Sequence, residues 1–166
     1  GVEEARRLTR LVAGRLPEVC VELGFLELAA PAIAAAVARL AARGCRDIVA
    51  APLLLFRAGH ARRDVPEALA AAAANHGLTV RQAEPLGDHP AIVALVRRRR
   101  QEAIAGRAPV PAAATRVVFC GRGSSDPRAV CRLCRVALAA TSRDAEPLHL
   151  GFAAAARPSL DEAVTQ

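Results

Sequence analysis

Aromatic residues are nearly absent from this 166-residue chain, which has four Phe, no Tyr and no Trp. That argues against nucleic-acid modules that stack bases on aromatic platforms. Met is missing altogether, and the chain opens on Gly1. We therefore expect the protein's N-terminus to lie upstream of Gly1. No run is long and apolar enough to span a bilayer, because charges or prolines break each candidate. No secretory signal heads the chain. The five cysteines are odd in number and lack framework spacing, so they fit reduced thiols better than a disulfide scaffold. These absences point to a cytoplasmic protein with neither nucleic acid nor membrane as partner.

Apolar residues make up 53% of the chain, enough for a core, although alanine supplies much of that fraction and fills little volume. The formal charge of +7 is carried by arginine. A basic surface attracts polyanions of several kinds, among them polycarboxylate small molecules, and charge alone does not choose between them. The length suits one domain, or one domain with part of another.

Helical and strand-like segments alternate. Val2, Ala5, Leu8 and Val12 are spaced for a helix over 2–14. Residues 19–25 read as a strand, and Pro31 as the opening of a helix that Gly44 stops. The apolar run 46–55 suits a strand covered on both faces. Asp64, with Glu67 three residues on, resembles a capping box for a helix running to about Asn75. A short strand is expected at 78–83, then a helix capped by Asp88. After a Pro/Ala/Gly linker at 106–115 the pattern restarts. It gives a strand at 116–120, a glycine loop at 121–127, a helix from about Arg128, a strand at 147–152 and a helix opening at Pro158. Helices between strands imply right-handed crossovers and mostly parallel, doubly wound α/β sheets.

The restart is a repeat. Residues 21–37 (VELGFLELAAPAIAAAV) align with 148–164 (LHLGFAAAARPSLDEAV). The spacing is constant, since 151 − 24 and 158 − 31 both equal 127. That spacing sets Arg128 opposite Gly1, so the strand and loop at 116–127 have their expected counterpart upstream of Gly1. We accordingly expect one near-complete domain at 1–108, a linker at 109–115, and the start of a second, degenerate copy at 116–166.

Ligands of doubly wound sheets bind at the carboxyl ends of parallel strands. Two such loops carry candidates: Glu27 after the strand at 19–25, and His60 after the run at 46–55. An imidazole and a carboxylate converging there suit a borderline divalent metal. Residue type alone leaves this open, because a loop His or Glu is usually a plain surface residue.

PLLLFRAGHARRDVPEAL at 52–69, followed by EPLGDHPAIVALV at 84–96, resembles the signature stretch of the class II tetrapyrrole chelatases. GFLELAAPAI at 24–33 is similar to their Glu-bearing loop, and GRGSSDP at 121–127 to the start of the second half in two-domain members. The resemblance, to the sirohydrochlorin cobaltochelatase and ferrochelatase family, covers nearly the whole chain. It implies a chelatase-like α/β fold and a lyase-type enzyme of cobalamin or siroheme biosynthesis. The reaction implied is insertion of Co2+ or Fe2+, as substrate metal and without a prosthetic group, into sirohydrochlorin or a precorrin-2-type ring. It assigns His60 and Glu27 as metal-site and catalytic residues, with a further histidine on the loop upstream of Gly1. Where that histidine would stand in the second copy, the chain has Arg122. Arg57, Arg62 and Arg63, with Gly59, are the expected contacts to substrate carboxylates, since guanidinium binds carboxylate bidentately. Their ordinary alternative is solvated loop charge.

Other features carry less. His89 has a structural or rim role, and Arg97 to Arg100 form a solvated helix stretch. Cys131 and Cys134 form a CxxC inside an expected helix, without the further ligands a zinc or iron–sulfur site needs. A nucleotide-binding domain is disfavoured because Asp126 stands where GxGxxG needs its third glycine. A non-catalytic divalent-metal carrier of the same fold is the main competing function, and homo-oligomerisation is left open.

Overall fold

A computed structural model of the chain describes residues 1–56, 63–105, 107, 111, 114–141 and 147–165. The chain divides into two compact units, Gly1–Pro52 with Gly59–Pro85, and Leu53–Ala58 with Leu86–Gln166.

The first unit opens with helix α1 (Val2–Arg15), whose first turn holds Glu3 and Glu4 and whose last turn holds Arg15. Both placements oppose the helix dipole. Its apolar residues Val2, Leu8, Leu11 and Val12 stay exposed. Helix α2 (Ile33–Ala42) starts two residues after Pro31, with Ala32 as N-cap, so Pro31 precedes the helix instead of opening it. Gly44 ends α2 as expected. At φ +81 its N–H donates to Ala41 O at 2.9 Å, while the Cys45 N–H donates to Leu40 O at 3.1 Å. This is the left-handed termination that glycine permits.

Strands β1 (Asp47–Ala50) and β2 (Thr79–Gln82) pair in parallel, from Asp47 against Thr79 to Ala50 against Gln82. Helix α3 (Asp64–Ala74) lies between them in sequence. The core joins Val37 and Leu40 of α2, Ile48 of β1, and Leu69 and Ala72 of α3. It therefore forms on the Ile48 face of the sheet. Val49, which points the other way, is 57% exposed, so the run at 46–55 yields a four-residue strand of alternating burial and not a strand covered on both faces. Helix α3 also differs from expectation. Its N-cap is Arg63, without a side-chain cap bond. Asp64 is thus already helical, and Glu67 sits one position too late for a capping box.

In the second unit, helix α4 (Pro90–Ile104) is capped by His89, whose Nδ1 accepts the Ala91 N–H at 3.2 Å. Asp88, the expected cap, instead pairs with Arg135 of helix α5 (Pro127–Thr141). Asp126 caps α5, accepting the Arg128 N–H at 2.9 Å, and Pro127 takes the first helical position, where its missing N–H is harmless. Arg97 is not a solvated charge. Its guanidinium donates to the carbonyls of Ala139 and Ala140 in the last turn of α5, where a cation is favoured. Arg98 and Arg99 do face solvent, each beside Glu102. Strands β3 (Val117–Gly121) and β4 (Leu148–Phe152) pair in parallel, from Val117 against Leu148 to Gly121 against Phe152. Helix α6 (Leu160–Val164) follows, closed by a capping box of Ser159 and Glu162.

The two aligned segments, 21–37 and 148–164, share local backbone geometry. Parallel bridges join Phe25 to Ala32 and Phe152 to Ser159. Leu28 and Ala155 are the two non-glycine residues of positive φ among those described, at 62° and 54°. A Cβ on Gly24 would stand 3.0 Å from Ile33 Cα and 3.2 Å from Ala36 Cβ; on Gly151, 3.0 Å from Leu160 Cα and 2.9 Å from Ala163 Cβ. Each pair is 127 positions apart. The expected strand at 19–25 is the exception, for residues 20–24 form no ladder and only Phe25 is bridged. In the second unit β4 pairs with β3.

Candidate functional site

The loop after Phe25 is closed at its base by two hydrogen bonds. The Phe25 N–H donates to Pro31 O at 2.8 Å, and the Ile33 N–H donates to Phe25 O at 3.1 Å. Gly24 beneath it lets the start of α2 approach closely, for a Cβ there would stand 3.0 Å from Ile33 Cα and the neighbour would have to give by a few tenths of an ångström. This frame displays Glu27, exposed, and Leu28, which is 99% exposed. A second acid nearby has a different job. Glu22, only 19% exposed, accepts from Arg39 at 2.7 Å and lies 3.6 Å from Arg43, so it ties the segment before the loop to α2.

His60, Arg57, Gly59 and Arg62 lie outside the described residues. Arg63 is exposed and occupies the N-cap of α3. Among the described residues no group of three or more His, Cys, Asp and Glu side chains converges as a metal site. Cys131 is exposed and Cys134 half-buried, both on α5 and both free thiols. Cys45 is also free and half-buried; burial beside the core raises its thiol above the usual range, reinforced by Cys20. No helix among the described residues is long and apolar enough to cross a membrane.

In the second copy the corresponding loop is woven into the glycine loop. The Ala153 N–H donates to Gly121 O and the Ala154 N–H to Arg122 O, both at 2.9 Å. Gly123, at φ +90, sits so close that a Cβ there would lie 1.7 Å from Ala154 O. Arg122 is exposed. Two features of this region escaped the sequence. Nothing marks Leu28 as a left-handed residue, since Gly or Asn ordinarily fills that conformation. The pairing of Glu22 with Arg39 spans seventeen positions, beyond any local pattern.

Parallel strands with intervening helices define an α/β protein of the doubly wound class, with like loop frames after Phe25 and Phe152. The CbiX family model matches residues 1–103, and the chain belongs to that family. It is 35% identical over 107 residues to the sirohydrochlorin ferrochelatase of Bacillus subtilis (strain 168), covering 64% of this chain and 39% of that protein. It is 28% identical over 148 residues to the sirohydrochlorin cobaltochelatase of Priestia megaterium, covering 88% of this chain and 48% of that one. The chain thus spans less than half the length of either relative. Among solved structures, SirB from Bacillus subtilis with Fe3+ superposes with a TM-score of 0.80 at 27% identity, over 98% of this chain and 65% of that one.

Proposed function

We propose that the protein inserts a divalent metal, cobalt or iron, into sirohydrochlorin or a precorrin-2-type ring, as a cytoplasmic lyase of cobalamin or siroheme biosynthesis. One observation carries the reading: the CbiX match runs over residues 1–103 and so takes in both Glu27 and His60. The names of the relatives supply the substrate class.

His60 holds the incoming metal through one imidazole nitrogen and releases it to the ring nitrogens. Glu27, on the frame above α2, assists at the metal; as the two pyrrole N–H groups are lost, Glu27 takes up one proton and the His60 imidazole, once it has released the metal, takes up the other. Arg57, Arg62 and Arg63 engage the substrate's carboxylates, with Gly59 allowing close approach of the backbone. Residues 1–108 form the domain that carries this chemistry. Residues 116–166, joined through 109–115, begin a copy that lacks it, with Arg122 in place of a histidine.

The test is the absorbance change on adding Co2+ or Fe2+ to sirohydrochlorin with protein expressed from its complete coding sequence. The His60→Ala variant is expected to insert metal about a hundredfold more slowly, the scale of a lost ligand or proton-transfer group. An undiminished rate refutes the assignment. Metal binding without insertion by the unmodified protein would favour a carrier of the same fold.

A further inference from the structure

We propose that Cys20 and Cys45 form a reversible oxidation site, which a hydroperoxide converts to a disulfide tying the segment ahead of the Glu27 loop to the turn before β1. The site is independent of the chelatase reading. Both thiols are free and half-buried. Both pack against the same core, formed by Val37, Leu40, Ile48, Leu69 and Ala72. Contacts beside them bring their segments together. Glu22, two positions after Cys20, lies 3.6 Å from the guanidinium of Arg43, two positions before Cys45. Arg39 holds the same segment, donating to Glu22 at 2.7 Å and to Leu23 O at 3.4 Å. The two thiols are near enough to act on one another, for burial, and after it Cys20, raises the Cys45 thiol above its ordinary value.

Neither thiol is demanded by the backbone around it. One position ahead of the second aligned segment stands Pro147, where the first has Cys20. The loop frame therefore forms without that cysteine. Cys45 completes the stop of α2 through its N–H, which donates to Leu40 O at 3.1 Å and which any residue but proline would supply. Bringing two sulfurs to bonding distance needs backbone freedom at one end. Residues 20–24 form no ladder and leave Cys20 that freedom.

The raised Cys45 thiol keeps its proton near neutral pH, so the first attack falls to Cys20 as the thiolate. Its sulfur takes one oxygen of hydrogen peroxide. The O–O bond breaks, giving a sulfenic acid and a hydroxide, which the proton shed by Cys20 converts to water. The Cys45 sulfur then attacks the Cys20 sulfur. The S–O bond breaks, and the departing hydroxide takes the Cys45 proton as a second water. The two sulfurs have together passed two electrons to the peroxide. A dithiol reverses the step by exchange.

The experiment uses protein expressed from its complete coding sequence, reduced and then treated with hydrogen peroxide. Remaining thiols are blocked with iodoacetamide under denaturing conditions, and the protein is digested with trypsin. Cleavage after Arg15, Arg39, Arg43 and Arg46 puts Cys20 and Cys45 on separate peptides, 16–39 and 44–46. The expected product is these two peptides joined, and dithiothreitol should part them. In Cys45→Ser, with no second thiol to resolve the sulfenic acid, dimedone should label Cys20 instead. Oxidation should raise the thermal midpoint of the unmodified protein by roughly 5 °C, because the bond closes a loop of about 25 residues. The same treatment should leave the midpoint of Cys45→Ser unchanged. Cys20 and Cys45 both still alkylated after the exposed Cys131 has been oxidised overturns the proposal. So does Cys20 joined to any cysteine other than Cys45, or an equal gain in midpoint by Cys45→Ser. The peptide map of the unmodified protein decides between these outcomes whether or not Cys45→Ser folds.

Discussion

Gly123 offers the sharpest test of how the second copy's loop is held. Replacing it with Ala adds a methyl 1.7 Å from Ala154 O and 2.9 Å from Ala154 C, on a backbone at φ +90. A comfortable contact needs roughly 1.5 Å more separation from that oxygen. The two segments must part, and the bonds from Ala153 to Gly121 and from Ala154 to Arg122, both 2.9 Å, span the gap that opens. Losing two backbone hydrogen bonds costs about 2 kcal/mol, and the left-handed conformation costs an Ala roughly 1–2 kcal/mol more. The expected destabilisation is about 3–4 kcal/mol. Gly44 provides the control, for it also has positive φ, at +81, but has open space where the Cβ would go. Gly44→Ala should therefore lose only the backbone portion, roughly 1–2 kcal/mol. Urea denaturation followed by far-ultraviolet circular dichroism gives the two losses. Amide hydrogen exchange then reads the site directly, with Ala153 and Ala154 exchanging faster in Gly123→Ala alone. Equal losses in the two variants, with unchanged protection at Ala153 and Ala154, would refute the steric argument.

Further outcomes follow from two sets of contacts in the second unit. The backbone N–H of Ser159 donates to Glu162 at 2.6 Å. That bond, with Arg157 nearby, lowers the Glu162 carboxyl below its ordinary value of 4.5. A depressed folded value means that the stabilisation is present above the unfolded value and lost as pH falls through the lower, folded one. The exchange protection of α6 should accordingly fall as the solution is acidified below the ordinary carboxylate range, and Ser159→Ala should cost about 1 kcal/mol at neutral pH by urea titration. Arg97→Ala removes the donors on Ala139 and Ala140 and should destabilise by about 1–2 kcal/mol in the same assay. Arg97→Gln should recover part of that loss.

What the sequence made legible, and what it did not, follows from how local each cause is. The likeness of the two segments is legible because Gly24 and Gly151 both sit at close approaches to a helix start, 3.0 Å from Ile33 Cα and from Leu160 Cα for a Cβ placed there. The stop at Gly44 was legible for the same kind of reason, a positive φ. Caps were less so. Asp64 and Asp88 each look like a helix start, yet the caps are Arg63 and His89, because one residue of phase decides which carboxylate faces the open N–H groups. The run at 46–55 was overextended because continuous apolarity does not say how many strands flank it, and Val49 turned out exposed. Arg97 reads as a surface charge from sequence because its partners lie more than forty positions away. Of the candidate site, the Glu27 loop was found through its neighbours Gly24 and Pro31. The left-handed turn at Leu28 left no trace in residue type.

The two copies separate architecture from chemistry within a single chain. A glycine under the helix start, a parallel bridge at the loop base and a left-handed residue at its tip occur in both. These features therefore belong to the loop frame and not to any reaction. The differences fall on the side chains the frame displays. Leu26-Glu27-Leu28 in one copy faces Ala153-Ala154-Ala155 in the other. The family match ends at residue 103, before the alanine copy begins. A frame that keeps its shape with only β-carbons on it does not need Glu27 to fold. Substituting Glu27 should thus change chemistry with little effect on stability, whereas substituting Gly24 should disturb both. That contrast is what a pre-formed loop predicts, and a loop shaped by its own functional side chains would show the reverse.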